Sequence, residues 1–162
     1  MIPMNKIVEL NSIPNLLQKK REKKEIIVTT NGAFDLFHYG HLKSLEYAKS
    51  LGDILIVLVN SDYSIKKYKD ERRPIISQDE RIRIIASISC VDYVILFEDK
   101  DPRNILEIIK PNFHVKGSEY QDDIIEKEIV EKNDGKIIFF NRDSNDVSTS
   151  GIIKKILKIY GE

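Results

Sequence analysis

Two of the chain's three histidines, His38 and His41, stand three positions apart in the stretch TTNGAFDLFHYGH, residues 29–41. At that spacing two side chains lie on one side of a helical turn. Paired imidazoles aimed at one point can donate hydrogen bonds to phosphate oxygens as negative charge builds on them. The stretch joins a short apolar run to a predicted helix beginning near Tyr39. The first backbone N–H groups of such a helix, with their partial positive charge, suit an anion. Gly32 and Gly40 remove side chains where a ligand would approach the backbone. Neither G-x-G-x-x-G nor G-x-x-x-x-G-K-[ST] occurs, which argues against a dinucleotide fingerprint and a Walker loop. H-x-x-H also fits a metal site, but that would need Asp35 and further ligands and lacks the H-E-x-x-H pattern, so no metal ligand is assigned. His114, in a short apolar run, is expected to have a core role.

The elements that must position these residues alternate in type. EIIVTT (residues 25–30) reads as a buried strand, and Leu42, Leu45, Ala48 and Leu51 then recur at helical spacing up to Gly52. ILIVLVN (54–60) is apolar on both faces, as a strand inside a parallel sheet should be. Ser77 and Glu80 form a capping box opening a helix through about Ser89. YVILF (93–97) is a third strand, and Asp101-Pro102 supplies an N-cap and a first-turn proline for a helix to about Lys110. FHV (113–115), a helix over 121–132, KIIFF (136–140) and a helix over 148–159 complete the series. This alternation predicts an α/β fold, a Rossmann-like, doubly wound, five-stranded parallel sheet with helices on both faces. Ligands of such sheets bind beyond the carboxyl ends of the strands.

The 162 residues suit one domain, with residues 1–24 as an N-terminal helical extension set apart from a catalytic core over 25–160. Ile13, Leu16 and Leu17 predict a short amphipathic helix there, and KKREKK (19–24) reads as its solvated end. Lysine plus arginine equals aspartate plus glutamate at 26 each, so the net charge gives no overall attraction to nucleic acid or membrane. The one cysteine, Cys90, ends an apolar helical stretch and is expected to be a buried core thiol. A single cysteine fits a reducing compartment. No signal-peptide pattern or membrane-length apolar run is seen, so a cytoplasmic protein is expected, with no membrane or nucleic-acid partner.

GAFDLFHYGH (32–41) resembles the G-x-F-D-x-x-H-x-G-H signature of the cytidylyltransferase-like nucleotidyltransferases. The likeness continues through AKSLGDILIVLVNSD, RRPIISQDERIRIIASISCVDYVILFED, VKGSEY and STSGIIKKI, covering residues 26–157 in order. Within that superfamily the chain most resembles the adenylyltransferase domain of ADP-heptose synthase, through TTNGAFD, VNSD, RPI and VKGSEY. Three features depart from the pattern: Ala33 stands where the family often has cysteine, STS replaces S-T-T, and Arg142 precedes DSNDVSTS at a longer spacing than in glycerol-3-phosphate cytidylyltransferases.

The resemblance implies transfer of AMP from ATP to D-glycero-β-D-manno-heptose 1-phosphate, giving ADP-heptose for lipopolysaccharide and releasing pyrophosphate. The alternatives are a CTP-dependent enzyme acting on glycerol 3-phosphate or a related alcohol phosphate, and a nucleotide-binding regulator without turnover. By the family match His38 and His41 contact the triphosphate, Ala33, Phe34 and Gly40 line its pocket, and Asp35 orients the loop or substrate. Lys69 is placed as a basic catalytic residue, with Lys66 and Lys67 as neighbouring candidates or the whole run as a solvated face. Arg81 is either a phosphate contact or a surface ion pair, and Asp62 either contacts substrate or serves the turn after its strand. Lys116 and Gly117 end the fourth strand at the ligand edge. Ser148 and Thr149 bind phosphate or cap the last helix. Asp92, outside the site, is expected to secure the turn into the third strand. Mg²⁺ is expected to arrive with the nucleotide. A homodimer is also implied, and a sugar kinase, often fused to this domain, would be a separate polypeptide.

Overall fold

The computed structural model describes residues 4–68, 70–122, 124–141 and 147–161. Five strands form one parallel sheet: β1 (Ile27–Gly32), β2 (Ile54–Asn60), β3 (Tyr93–Phe97), β4 (Phe113–Gly117) and β5 (Lys136–Phe140), in the order β3-β2-β1-β4-β5. Seven α-helices accompany them among the described residues: α1 (Ile13–Glu22), α2 (Tyr39–Ser50), α3 (Asp62–Tyr68), α4 (Gln78–Ser87), α5 (Arg103–Ile109), α6 (Lys127–Lys132) and α7 (Thr149–Tyr160). The expected α/β architecture is therefore the observed one.

Why β2 sits inside the sheet follows from its side chains, which alternate between two apolar layers. Ile54, Ile56 and Leu58 pack with Ile13, Leu17, Ile105, Leu106, Ile109 and Val130, the layer of α1, α5 and α6. Leu55, Val57 and Val59 pack with Leu45, Ala48, Ile85 and Ala86, the layer of α2 and α4. All seven β2 residues are buried, and each of the six apolar side chains, from Ile54 to Val59, contributes about 1.5–3 kcal/mol by leaving water. The direction of crossover reverses at β1, with β2 on one side and β4 on the other. Such a reversal opens a crevice at the carboxyl ends of the two strands.

Several local expectations are corrected. Residues before β1 are not set apart, because Ile13 and Leu17 are core residues and Val8 N–H donates to Val94 O at 3.0 Å on the edge strand β3. β1 runs two residues further than the apolar run, to Gly32, carrying Asn31 onto the sheet's end. α3 had no clear signal, since DYSIKKY is too short for a periodic stripe. α5 begins after Pro102 as N-cap, and Asp101 instead accepts from Arg103 N–H at 3.1 Å. The helix expected over 121–132 shortens to α6, preceded by a 3₁₀ turn at Ser118–Tyr120. α4 ends at Ser87, so Cys90 lies in the following turn and is half-buried, its thiol pushed up in pKa mainly by burial. Asp92 does secure its turn, accepting from Leu55 N–H at 2.8 Å and Lys49 Nζ at 2.6 Å.

His114 is the core histidine expected, fully buried on β4 opposite Thr29 of β1, with Nδ1 2.8 Å from Thr29 Oγ1. Burial, aided by the charge of Lys116, pulls its pKa down to about 3. The unfolded chain binds that proton near pH 6.5, so between the two values the unfolded state holds more protons and stability falls as pH drops. We expect a loss of about 1.4 kcal/mol per pH unit from pH 6 to pH 5, above the range in which carboxylates titrate. Urea denaturation at stepped pH reads this slope, and His114→Gln should flatten it. An equally steep slope in the variant would contradict the assignment.

Candidate active site

A cleft of about 590 Å³ opens at the carboxyl ends of the strands, walled by residues of β1, β4 and the starts of α2 and α7. Asn31 of β1 and Lys116 of β4 face each other across the crossover reversal, with Lys116 Nζ donating to Asn31 Oδ1 at 3.1 Å. Lys116 Nζ also donates to Glu126 Oε1 at 2.8 Å and lies 4.9 Å from the Tyr120 ring centroid. Glu126 is only 2 % exposed, so Lys116 is held by a buried counter-charge rather than swinging in solvent.

The loop after β1 is wound tightly. Phe34 and Leu36 take left-handed backbone conformations, φ +51° and +47°, each costing roughly 1–3 kcal/mol for such residues. Between them Asp35, 1 % exposed, holds the turn. Its carboxylate accepts from the N–H groups of Ile75 and Ile76 at 3.0 Å each, from Leu36 N–H at 3.1 Å and from Arg73 Nη2 at 3.1 Å. Burial raises the Asp35 pKa, but those backbone N–H groups and the guanidinium outweigh it, leaving the carboxyl below its ordinary value.

His38 stands at the N-cap of α2 without capping it through its side chain. Its ring stacks on His41, centroids 3.9 Å apart and planes 20° from parallel. His41 also meets the edge of Phe34 at 5.4 Å and lies 5.6 Å from Phe37. The two imidazoles thus share one side of the first turn, and His41 is the one on the cleft wall. Gly40 is required here because a Cβ would come within 2.9 Å of the Val147 carbonyl and 3.1 Å of the His38 ring. That closeness brings the residues just before α7 against the first turn of α2. Thr149 Oγ1 donates to Asp35 O at 3.0 Å, and Ser148 Oγ caps α7 by accepting from Gly151 N–H at 3.1 Å.

The structure brings Ala33, Phe34, Asp35, His41, Lys116, Gly117, Ser148 and Thr149 together around this cleft. Arg81 is elsewhere, being fully buried behind the loop. It donates to Ile76 O at 3.0 Å, Ala33 O and Asp62 Oδ1 at 2.7 Å, so it is neither a surface ion pair nor on the cleft wall. Asp62 is its partner, at the start of α3, and is likewise off the wall. His38 and Gly40 stand one layer behind His41. Lys69 lies outside the described residues, as does Arg142. Arg73, Asn31 and Glu126 were not singled out by residue type. Arg73 sits within the quoted RPI, which marked it only as part of a likeness; the other two pair across 85 and 10 residues, and no local pattern announces that.

Among the described residues no three His, Cys, Asp or Glu side chains sit together as a metal cage. Three of the carboxylates lining the cleft are engaged by cations: Asp35 by Arg73, Glu126 by Lys116, and Asp101 by Arg103 at 2.8 Å. Among the same residues no helix is long and apolar enough to cross a membrane.

Comparison with known proteins supplies relatives for this arrangement. Residues 29–155 match the family described as Cytidylyltransferase-like. The bifunctional protein HldE of Geobacter sulfurreducens is 40 % identical over 160 residues, covering 97 % of this chain and 32 % of that protein. HldE of Helicobacter acinonychis is 41 % identical over 157 residues, with the same two shares, 97 % and 32 %. The chain therefore spans about a third of the length of these curated relatives. The crystal structure of the lipopolysaccharide core biosynthesis protein from Thermoplasma volcanium superposes with a TM-score of 0.59 at 26 % identity, covering 75 % of this chain and 99 % of that one. Pantoate-beta-alanine ligase from Francisella tularensis, with a TM-score of 0.63 at 20 % identity over 94 % of this chain and 78 % of its own, shares the fold. A signature loop at the crossover reversal, carried on a match running from Thr29 to residue 155, shows that this chain belongs to the cytidylyltransferase-like family.

Proposed function

We propose that this chain transfers AMP from ATP to D-glycero-β-D-manno-heptose 1-phosphate, releasing pyrophosphate. The observation that carries the reaction class is the cleft where His41 and the starts of α2 and α7 converge at the sheet's crossover reversal. Identity of about 40 % to HldE proteins, whose C-terminal domain is the ADP-heptose synthase adenylyltransferase, supports the sugar.

In this reaction an acceptor phosphate oxygen bonds to the α-phosphorus, and the bond to the bridging oxygen of the β-phosphate breaks. The nucleophile is already anionic near neutral pH, so no strong base is needed. Alignment and stabilisation of charge are the protein's tasks. His41, steadied by the His38 ring, donates to the α-phosphate and leaving oxygens. Backbone groups around Ala33, Phe34 and Gly117 let the nucleotide approach closely, while Gly40 acts from behind by letting the Val147 carbonyl and the His38 ring close on the first turn of α2. Ser148 and Thr149 turn the start of α7 toward phosphate. Lys116 supplies a fixed cation, and Lys69 is retained as a second. Asp35, Asp62 and Arg81 act by holding the loop, with Asp35 at the substrate's edge. Mg²⁺ held by the triphosphate and water would screen the phosphate charge, since Asp35, Asp101 and Glu126 are each paired with a cation. A sugar kinase that supplies the 1-phosphate, a homodimeric assembly and a cytoplasmic location belong to the same proposal.

Pyrophosphate release, measured with ATP, CTP, GTP and UTP against heptose 1-phosphate and glycerol 3-phosphate, tests it. Turnover is expected with ATP and heptose 1-phosphate. CTP-selective turnover with glycerol 3-phosphate would overturn the substrate assignment, and nucleotide binding without turnover on either acceptor would overturn the enzymatic one.

A further inference from the structure

Arg73 is a cation on the cleft wall to which the mechanism above gives no ligand. It lies between α3 and α4, in the segment whose Ile75 and Ile76 N–H groups bind Asp35. Its Nε and Nη2 both point to one oxygen, Asp35 Oδ2, at 3.4 and 3.1 Å. A guanidinium carries five N–H groups in a rigid fork, so the edge bearing Nη1 is left for another acceptor. Arg73 differs in this respect from two other basic side chains at this end of the sheet. Arg81 is wholly buried among three protein oxygens, and Lys116 is 11 % exposed against Glu126 and Asn31. The Arg73 side chain is 28 % exposed while its carboxylate partner is entirely covered. Asp35 also shares its charge among three backbone donors, which leaves the Arg73 charge incompletely cancelled. A cation anchored by one edge and open at the other matches the planar, two-toothed recognition of phosphate.

We propose that Arg73 binds a phosphate group of the reactants, with Asp35 gripping one edge of the guanidinium and the ligand's oxygens taking the other. Resting on the transferase function proposed above, it has two possible sources of that phosphate: the sugar 1-phosphate and the nucleotide's triphosphate. Arg73→Gln removes the charge and the fork, and Arg73→Lys keeps only the charge. KM for ATP and for heptose 1-phosphate are measured separately for each variant, with Tm by thermal unfolding. Arg73→Gln should raise one KM about 10- to 100-fold, as loss of a charged hydrogen bond does, while the other stays within about twofold; Tm falls as well, because the covered Asp35 carboxylate loses its guanidinium, so the reading lies in the selectivity between the two KM values. Arg73→Lys should recover part of that loss. Selective loss for the sugar phosphate identifies the acceptor as the source, and selective loss for ATP identifies the nucleotide. Two unchanged KM values, or a fall in kcat that tracks Tm with both KM values moving together, would overturn the inference by reducing Arg73 to a staple for the loop.

A second arm needs no turnover. Inorganic phosphate or pyrophosphate should raise Tm of the unaltered protein, and Arg73→Gln should lose that rise for at least one of them. Full retention of both rises, or no rise in the unaltered protein, would again overturn it. If the unaltered protein fails to use heptose 1-phosphate, the proposed sugar substrate falls and this arm alone decides Arg73.

Discussion

His41→Ala is expected to lower kcat/KM by about 100- to 1,000-fold, the range seen when one preorganised donor to a reacting anion is removed. The expected cost in stability is only about 1 kcal/mol, because the contacts of the half-buried His41 ring with His38, Phe34 and Phe37 are stacking and edge contacts. His38→Ala should cost less, since His38 acts by bracing the ring of His41. The double variant should be little worse than His41→Ala, because groups that act as a unit are not additive. Pyrophosphate release with ATP and heptose 1-phosphate, paired with urea denaturation, reads both quantities. Normal turnover by His41→Ala would remove that imidazole from the mechanism.

Asp35→Ala should have the opposite signature, a large loss of stability, about 3 kcal/mol, at the lower end of what breaking a buried charged pair costs. The lower end applies because Arg73 is partly exposed and can turn to water. What cannot reach water as easily are the N–H groups of Ile75 and Ile76, and the left-handed turns at Phe34 and Leu36 lose the carboxylate that holds them. Turnover should fall as well, since Ala33, Phe34 and Thr149 all hang on the same loop. Asp35→Asn keeps one acceptor oxygen and should lose less. The pH dependence has a definite sign. The folded-state pKa is depressed, so the Asp35 contribution is present above the unfolded value near 3.9 and disappears as pH falls through the lower folded value. Denaturant midpoints of wild type and Asp35→Asn should converge at low pH; a constant gap would deny the carboxylate this role.

Much of the architecture is legible along the chain because its causes are local. A period of two or of 3.6 in apolar residues reports which face of an element is buried, and the Ser77–Glu80 capping box needs only four neighbouring residues. That is why the strand and helix series could be read from β1 to α7, while α3, with seven residues, and the polar run before α6 could not. The same limit applies to the site. The identity and spacing of His38 and His41 are local facts, as is the glycine that lets the residues just before α7 come close.

What the amino-acid sequence determines by itself, then, is the alternating α/β series, a fully apolar inner strand and two imidazoles on one side of a helix start. Only the tertiary structure decides which charges remain available beside them. It buries Arg81 against Asp62 from 19 residues away, closes Asp35 on the segment 38–41 residues ahead, pairs Lys116 with Glu126, and ties Thr149 to Asp35 O across 114 residues. The physical reason is that the energy of a charge depends on its solvent exposure and on its partners within a few ångströms. Neither is set by neighbours in the chain.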